Sequence, residues 1–415
     1  MSGEDGASIT AESSDKEIIE FVRAWLADAL PAAWLLAVDK EDSDTVRSLR
    51  DATDESEWFD RLGAAGLATP SFPVEYGGLG LSPRQTRLVN AQLSRYKTPR
   101  FRNLIGVSLA GPAILQWGTD QQKADRLRAI GTHREIWCQL FSEPGAGSDL
   151  AGLATRAVRD GDGWLINGSK IWSSMAHNAQ WGFLLTRSSI DAPKHQGITV
   201  FMLKLDTPGI TMRPLRHITG DHEFNQVFFD DVFIPDEHRI GPVNDGWRVT
   251  QTVLVNERIS GSGEGASLPG TRTGRSVASV IEHFAPVTDL LLRQRLAQAW
   301  VDEKLTQLTN QRFTAMRRAG ESSGPRGSIT KLFSSEFLQR LQDLLLDLDG
   351  ADSVAWPEDD RWRRNSAWAF LRVRARTIAG GTSEIQRNII GERLLGLPKE
   401  PGLPSSTPWK DIPRS

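Results

Sequence analysis

The chain has 415 residues, which is more than one ordinary hydrophobic core supports, so two or three domains are expected. A formal charge of −3 and 39% hydrophobic residues indicate a soluble globular protein without overall attraction to nucleic acid or anionic membranes. The single cysteine, Cys138, excludes an internal disulfide and a cysteine-rich metal site, and the seven histidines show no metal-ligand spacing.

The first 17 residues are polar and acidic, without the basic start and apolar core of a secretory signal. No run in the chain approaches the roughly 18 apolar residues of a membrane span. We therefore expect a cytoplasmic protein without a membrane span.

The first third of the chain has helical periodicity. Predicted capping boxes, each a Ser or Thr three residues before a Glu or Gln, mark helix starts at Ser14 with Glu17, Ser82 with Gln85, and Thr119 with Gln122. Apolar residues recur at helical spacing after the first box, to about Leu30. Residues 1–136 are therefore predicted to form a helical domain.

The middle of the chain changes to short runs of β-forming residues separated by turn signals. Asp160–Gly163 and the pair Asn167-Gly168 are typical hairpin signals. The spacing suits a β sandwich or barrel of about 100 residues, which we assign to residues 137–245. Cys138 lies in an apolar run there and is expected to be a small buried residue.

Helical periodicity returns after Gly246. Long helices are predicted over Leu290–Arg317 and from Ile329 to a stop at Gly350, and a last helix begins at Thr382. Residues 246–415 are thus predicted to form a helical bundle with a Pro-rich tail. The predicted fold class is a multidomain α+β protein, helical at both ends and β in the middle.

The loop Ser142–Asp149 contains small residues between two serines and an aspartate, so a ligand can approach its backbone amides closely. Such a loop is by itself more often only a turn. Its interpretation depends on the rest of the chain.

Three separated stretches together resemble the flavin-dependent acyl-CoA dehydrogenases. They are Phe141–Asp149 with Asn167–Ser174, Asn244–Trp247 with Asn256–Arg258, and Ile378–Arg387 with Ile389–Arg393. The resemblance implies the acyl-CoA dehydrogenase fold, with a four-helix bundle at the C-terminus and FAD between the β domain and the C-terminal helices.

The resemblance also implies the reaction and the partners. The α-hydrogen of an acyl-CoA would leave as a proton and the β-hydrogen as a hydride to flavin N5, giving the trans-2-enoyl-CoA. Electron-transfer flavoprotein would take the electrons. A homodimer or homotetramer is implied, and a heteromer is possible.

Ten residues match cofactor-binding positions of the family: Phe141, Ser142, Gly147, Ser148, Trp172, Ser173, Ser174, Gly381, Thr382 and Glu384. The resemblance places the Ser142 hydroxyl on the flavin ring, the Trp172 side chain against the isoalloxazine, and the Ser174 hydroxyl at the N5 edge. Ser148 also matches a substrate contact. The alternative for Trp172 is plain core packing, and Thr382 with its neighbours also reads as a helix N-cap.

The predicted catalytic base is Glu257. Many family members carry a glutamate at the position of Gly380, which has no side chain to take a proton, and a smaller set carries the base at the position of Glu257. A carboxylate with a raised pKa in an apolar pocket suits the chemistry. The alternative is an exposed glutamate paired with a nearby arginine. Gly380 keeps the backbone N–H that the family uses on the thioester carbonyl, and Arg258 matches a position near CoA.

Two departures from the family pattern concern the adenosine half of FAD. The usual Arg-x-Phe-Gly segment has no counterpart, because Gly261–Gly274 occupies its region, and the usual Gly-Gly element is reduced to Asp347–Gly350. Two alternatives stay open. Relatives that lack the usual glutamate can be flavin monooxygenases or oxidases, and the missing cross-dimer segment allows a non-catalytic subunit that completes the FAD site of a partner. The sequence leaves the acyl group open, with Phe101, Leu104 and Trp137 among the side chains expected to influence pocket depth.

Overall fold

The computed structural model describes residues 9–99, 101–261, 276–318, 324–354 and 361–413, without the side chains of residues 257–261, 317–318, 354 and 361–365. The chain divides into two compact units. The first unit comprises Met1–Leu215, Glu223–Thr271 and Leu403–Ser415, and the second comprises Arg216–His222 and Arg272–Gly402. The three predicted domain limits stay a prediction.

Seven α-helices are described before the first strand: α1 Asp15–Ala29, α2 Ala32–Asp39, α3 Ser43–Asp51, α4 Glu55–Ala64, α5 Pro83–Arg95, α6 Gly111–Trp117 and α7 Asp120–Gly131. The predicted capping boxes at Ser14, Ser82 and Thr119 are confirmed, with both reciprocal hydrogen bonds present at each. The sequence analysis did not predict α3, because its polar sequence buries only Val46.

The helical core of the first unit forms around α1. Its residues Ile18, Val22 and Leu26 recur every four positions and are fully buried, as are Trp34 and Leu62 from α2 and α4. Burial of one such side chain stabilises the fold by about 1.5–3 kcal/mol.

The strands of the first unit form one eight-stranded sheet: β1 Trp137–Leu140, β2 Arg156–Asp160, β3 Gly163–Ser174, β4 Trp181–Arg187, β5 Ile198–Lys204, β6 Ile210–Leu215, β7 Phe224–Pro235 and β8 Arg239–Ile240. The order is β6-β7-β3-β2-β4-β5-β8, with β1 parallel to β4. Successive residues of β4 point into two different apolar clusters. Phe183 and Leu185 belong to one cluster and Leu184 belongs to the other, so both faces of this strand are buried. Cys138 is buried as predicted, and burial raises the pKa of its thiol to about 12.

The prediction of a hairpin turn at Asn167-Gly168 is wrong. Both residues lie inside the continuous strand β3, at a register shift opposite β7. Gly168 has φ +141°, and a Cβ there would lie 2.8 Å from the Cα of Thr155. The Asn167 side chain bonds both the backbone N–H and the carboxylate of Asp231. The pair therefore forms a β-bulge that lets β3 approach the start of β2 closely.

Six further α-helices are described: α8 Gly246–Gly261, α9 Val277–Phe284, α10 Leu290–Arg318, α11 Gly327–Asp349, α12 Arg361–Val373 and α13 Ser383–Arg393. Leu296 of α10 packs with Phe337, Leu341 and Leu344 of α11 in the core of the second unit. The order of helical, β and helical regions confirms the predicted fold class. Within the described residues, every helix is too short or too polar to cross a membrane.

Candidate functional site

The loop Ser142–Asp149 forms a tight turn that leaves its glycines open. Glu143 and Ala146 exchange two backbone hydrogen bonds of 3.1 and 3.0 Å. Gly145 and Gly147 are exposed, and no described heavy atom lies within 4 Å of where a Cβ on either would stand. The loop can therefore present its backbone to a ligand, as the sequence indicated.

A buried ion pair anchors the beginning of this loop. The Lys170 side chain is fully buried, and its Nζ donates to Glu143 Oε1 at 2.7 Å and to the carbonyl oxygen of Phe141 at 2.9 Å. The Glu143 carboxylate also accepts from the backbone N–H groups of Ala154 at 2.7 Å and Thr155 at 2.9 Å. One carboxylate thus connects the loop to β3 and to the start of β2.

Electrostatics favour the charged form of the Glu143 carboxyl. Burial alone would raise its pKa, but the positive charge and hydrogen bond of Lys170 hold the pKa below its ordinary value. Burial lowers the pKa of the Lys170 ammonium, and the charge of Glu143 opposes that shift. Sequence reasoning missed this pair. The available signal was a lysine inside a predicted strand, where an inward-facing charge requires a partner.

Trp172 is the most unusual residue near the loop. It has φ +62°, a left-handed conformation that is costly for a bulky residue, and its side chain is 55% exposed. It lies at the second register shift of β3, and its ring meets that of Phe224 at 81° with centroids 5.8 Å apart. The alternative of plain core packing is therefore wrong. Residues that combine strain and exposure cluster at ligand sites.

The structure brings the two predicted flavin-facing segments together. The backbone N–H of Ile171 donates to the carbonyl oxygen of Ser142 at 2.8 Å, so Ser142 adjoins the residue before Trp172. Ser142 and Ser174 are half-buried, whereas Gly147 and Ser148 are exposed. These residues form the accessible part of the predicted set in the first unit.

Two of the predicted cofactor residues have inward side chains. Phe141 is 4% exposed and packs near Phe183, with ring centroids 6.0 Å apart. Ser173 is fully buried, and its hydroxyl has no hydrogen-bond partner among the described residues. Both side chains therefore lie in the core and away from the exposed surface beside the loop.

The helix of the predicted base packs into the same core as the loop. Val249 and Val253 of α8 belong to the apolar cluster that contains Phe141 and Ala146. Position 257 follows Val253 by about one helical turn of α8. The side chains of Glu257 and Arg258 lie outside the described part of the structure.

The side chains expected to influence pocket depth occupy different environments. Phe101 packs against Phe59 in the helical core, with ring centroids 5.6 Å apart. Trp137 is 2% exposed and stacks on Trp181. Leu104 is half-buried. Phe101 and Trp137 are thus core residues.

The turn before α13 carries the predicted site residues of the second unit. Gly380 and Gly381 have φ values of +67° and +91°, which favour glycine. The Gln386 side chain donates to the carbonyl oxygens of both glycines, and Lys331 Nζ donates to that of Gly381 at 2.6 Å. Thr382 caps α13 by accepting from the N–H of Ile385 at 3.2 Å.

A groove of about 530 Å³ opens beside this turn. Its lining is polar and charged and comprises Glu336, Gln339, Arg340, Thr377, Ile378, Thr382, Ser383, Glu384 and Arg387. The start of α13 adds the partial positive charge of a helix N-terminus. Arg387 pairs with Glu336 and Arg340 with Asp302, so the helix N-terminus is the part of this groove that suits a polar group of a nucleotide.

Each unit by itself carries residues that fit one part of a flavin nucleotide. The first unit offers an exposed aromatic ring, two open glycines and accessible serine hydroxyls, which match a flat ring with polar edges. The second unit offers the capped helix start and its charged groove.

Family models match most of the chain. The acyl-CoA dehydrogenase N-terminal domain matches residues 15–133, the middle domain residues 138–232, and the C-terminal domain residues 244–395.

Two similar proteins come from Mycobacterium tuberculosis. The chain is 38% identical to acyl-CoA dehydrogenase IpdE1 over 381 residues, which cover 91% of the chain and 97% of that relative. It is 41% identical to acyl-CoA dehydrogenase FadE34 over 340 residues, which cover 81% of the chain. The match covers 46% of FadE34, so the chain spans about half the length of that relative.

Two solved structures with the same fold each bear the names of a pair of proteins. The Tcur3481-Tcur3483 steroid ACAD is 26% identical, with a TM-score of 0.74 over 94% of this chain and 100% of that chain. The ChsE4-ChsE5 complex from Mycobacterium tuberculosis is 25% identical, with a TM-score of 0.73 over 95% of this chain and 100% of that chain.

Proposed function

The chain belongs to the acyl-CoA dehydrogenase family of oxidoreductases, and we propose that it converts an acyl-CoA to the trans-2-enoyl-CoA with Glu257 as the base. The family implies a flavin cofactor and an acyl-CoA substrate. The observation that carries the proposal is Trp172, strained and exposed beside an open loop that a buried ion pair anchors.

We propose FAD as the cofactor, which when bound accepts the hydride from the β-carbon. The exposed Trp172 ring would hold the flat flavin ring, and the hydroxyls of Ser142 and Ser174 would hydrogen-bond its polar edge. Neutral donors suit this position because they stabilise added electron density without a buried countercharge. Gly147 brings its backbone close to the cofactor, and the α13 start with Gly381, Thr382 and Glu384 binds polar parts of FAD.

The proton chemistry is assigned to Glu257. Its helix α8 packs with the loop in one apolar cluster through Val249 and Val253, and a carboxylate within reach of the α-carbon can take the proton as a general base. The N–H of Gly380 donates to the thioester carbonyl and stabilises charge that develops there. Ser148 and Arg258 bind the substrate, Arg258 through the CoA portion.

We propose a ring-bearing acyl-CoA of steroid origin, because a similar solved structure is described as a steroid ACAD. We propose electron-transfer flavoprotein as the electron acceptor.

A second candidate concerns assembly. Both structures named above carry two different protein names, and the Arg-x-Phe-Gly segment has no counterpart in this chain. The chain would then work with a second acyl-CoA dehydrogenase polypeptide that completes the flavin site. A homodimer or homotetramer is the alternative.

The test is to purify the full chain alone and with a co-expressed second acyl-CoA dehydrogenase polypeptide, and to record the absorption spectrum of each preparation. Anaerobic mixing with linear, branched and steroid-derived acyl-CoAs should bleach the flavin with a preferred substrate. Glu257→Gln should slow bleaching by about 10²–10⁴-fold, the usual contribution of a general base. Glu237→Gln, at an exposed position of the same unit, is the matched control.

Each alternative predicts a different result. If acyl-CoA bleaches the flavin of Glu257→Gln as fast as that of the unaltered chain, the base is another group. Flavin retained only in the presence of the second polypeptide supports the heteromer. Oxygen consumption that requires a separate reductase would indicate a monooxygenase.

A further inference from the structure

The segment Leu403–Ser415 belongs to the first unit, although it follows the last residue matched by the family models, Leu395. The Trp409 side chain is only 6% exposed. Its backbone N–H donates to the carbonyl oxygen of Ala192 at 2.9 Å, and that of Lys410 donates to Ile190 at 3.0 Å. The segment therefore docks on the β4–β5 connection through backbone hydrogen bonds and a buried ring.

Trp409 reaches the turn that ends the flavin-facing loop. Three successive carbonyl oxygens of this turn accept side-chain hydrogen bonds. Ala151 accepts from Arg187 Nη2 at 2.6 Å, Gly152 from Trp409 Nε1 at 3.2 Å, and Leu153 from Arg187 Nε at 3.4 Å. Two side chains distant in sequence thus fix the backbone directly after Asp149.

The contact between these two side chains is itself favourable. Arg187 is 1% exposed, and its Cζ lies 4.9 Å from the centroid of the Trp409 ring. A cation beside an aromatic face gains most where water is excluded. Removal of the ring would expose a buried guanidinium to water and weaken its bonds to the turn.

The same arginine is connected to Asp149. Arg187 Nη1 donates to the carbonyl oxygen of Lys194 at 2.8 Å, and Lys194 Nζ bonds both oxygens of Asp149 at 2.8 and 2.9 Å. Asp149 directly follows Ser148, the residue assigned to substrate. Contacts from Trp409 therefore extend to the exposed end of the loop.

We propose that Trp409 is a positioning residue that holds the Ser148–Asp149 end of the flavin-facing loop in its substrate-binding conformation. The Lys170–Glu143 pair holds the beginning of the loop, and Trp409 with Arg187 holds its end. The role of Trp409 in substrate binding rests on the function proposed for Ser148. Its role in holding the loop backbone is independent of that function.

Hydrogen exchange on the full chain tests the positioning directly. In Trp409→Ala, the amides of Gly152 and Leu153 should exchange about tenfold faster, as expected for the loss of one buried hydrogen bond, while β3 amides stay unchanged. Trp409→Phe keeps a ring beside Arg187 but loses the N–H, and should show a smaller increase. Lys410→Ala, which removes the surface ion pair with Asp191, is the matched control and should exchange like the unaltered chain.

A kinetic readout separates positioning from general stability. The KM for acyl-CoA should rise about tenfold in Trp409→Ala with a smaller change in kcat, since the loop must be ordered when substrate binds. The proposal would be overturned if the amides of Gly152 and Leu153 exchange at the unaltered rate in either Trp409 variant. It would also be overturned if amide exchange accelerates equally throughout the first unit. If none of the tested acyl-CoAs reduces the flavin of the unaltered chain, the proposed function fails. The exchange data still decide the structural role of Trp409 in that case.

Discussion

The loop Ser142–Asp149 and the turn Ile378–Glu384 are both predicted to bind the flavin, yet different kinds of contact hold them in place. The loop depends on two buried cations that are distant in sequence: Lys170 pairs with Glu143 inside the loop, and Arg187 bonds the carbonyl oxygen of Ala151 just after its end. The turn is held by the Thr382 cap and the Gln386 side chain of its own helix, with one further bond from Lys331 of α11.

This difference predicts how each region fails. A buried charged pair is costly to break because the remaining partner keeps its charge in an apolar environment. A helix cap contributes about 1 kcal/mol, and its loss frays only the first turn. Four changes test the comparison, in order of decreasing effect on the free energy of unfolding.

The largest effect is expected for Lys170→Met. This change leaves the Glu143 carboxylate buried without its cation, which should lower the free energy of unfolding by about 3–5 kcal/mol. Denaturant unfolding measures the loss. The matched control is Lys194→Met, which breaks the more exposed pair with Asp149 and should cost at most about 1 kcal/mol. Equal losses in the two variants would contradict the importance of burial.

The next effect is a loss of stability at acidic pH. Because Lys170 holds the folded-state pKa of Glu143 below its ordinary value of 4.5, the stabilisation is fully present above pH 4.5. It is lost as the pH falls through the lowered pKa, so flavin should be released in that range. Fluorescence of released flavin measures the midpoint. Glu143→Gln should lack this step, and an identical acid midpoint in that variant would exclude Glu143 as its source.

A smaller and more local effect is expected for Thr382→Ala. Loss of the cap on Ile385 should cost about 1 kcal/mol and speed exchange of the Ile385 amide. Thr382→Ser keeps the hydroxyl and should behave like the unaltered chain. If the alanine variant also accelerates exchange across α11, the turn is not held locally.

The smallest effect on stability is expected for Trp172→Ala. The ring is 55% exposed, so the free energy of unfolding should change by at most about 1 kcal/mol, whereas flavin binding should weaken about tenfold. Flavin titration of the apoprotein measures the binding. Trp164→Ala, which removes a buried tryptophan of the same strand, should cost about 3–5 kcal/mol. If Trp172→Ala lowers the free energy of unfolding by a similar amount, Trp172 acts mainly in packing.

Features that depend on near neighbours along the chain can be predicted from residue type and spacing. The capping boxes at Ser14, Ser82 and Thr119 join groups three residues apart, and the stop of α11 needs only the left-handed Gly350. Recognition of the family needed only short motifs with their order and spacing. The open glycines of the flavin-facing loop also follow from residue type.

The support of the site depends on contacts between residues that are far apart in the chain. An Asn-Gly pair is typical of a turn, and its use as a bulge depends on how closely β3 approaches Thr155. Lys170 and Glu143 are 27 residues apart, and Trp409 and Gly152 are 257 apart. Residue types and local spacing do not indicate such pairings, because a buried charge or indole can be satisfied by any backbone group that folding brings within reach.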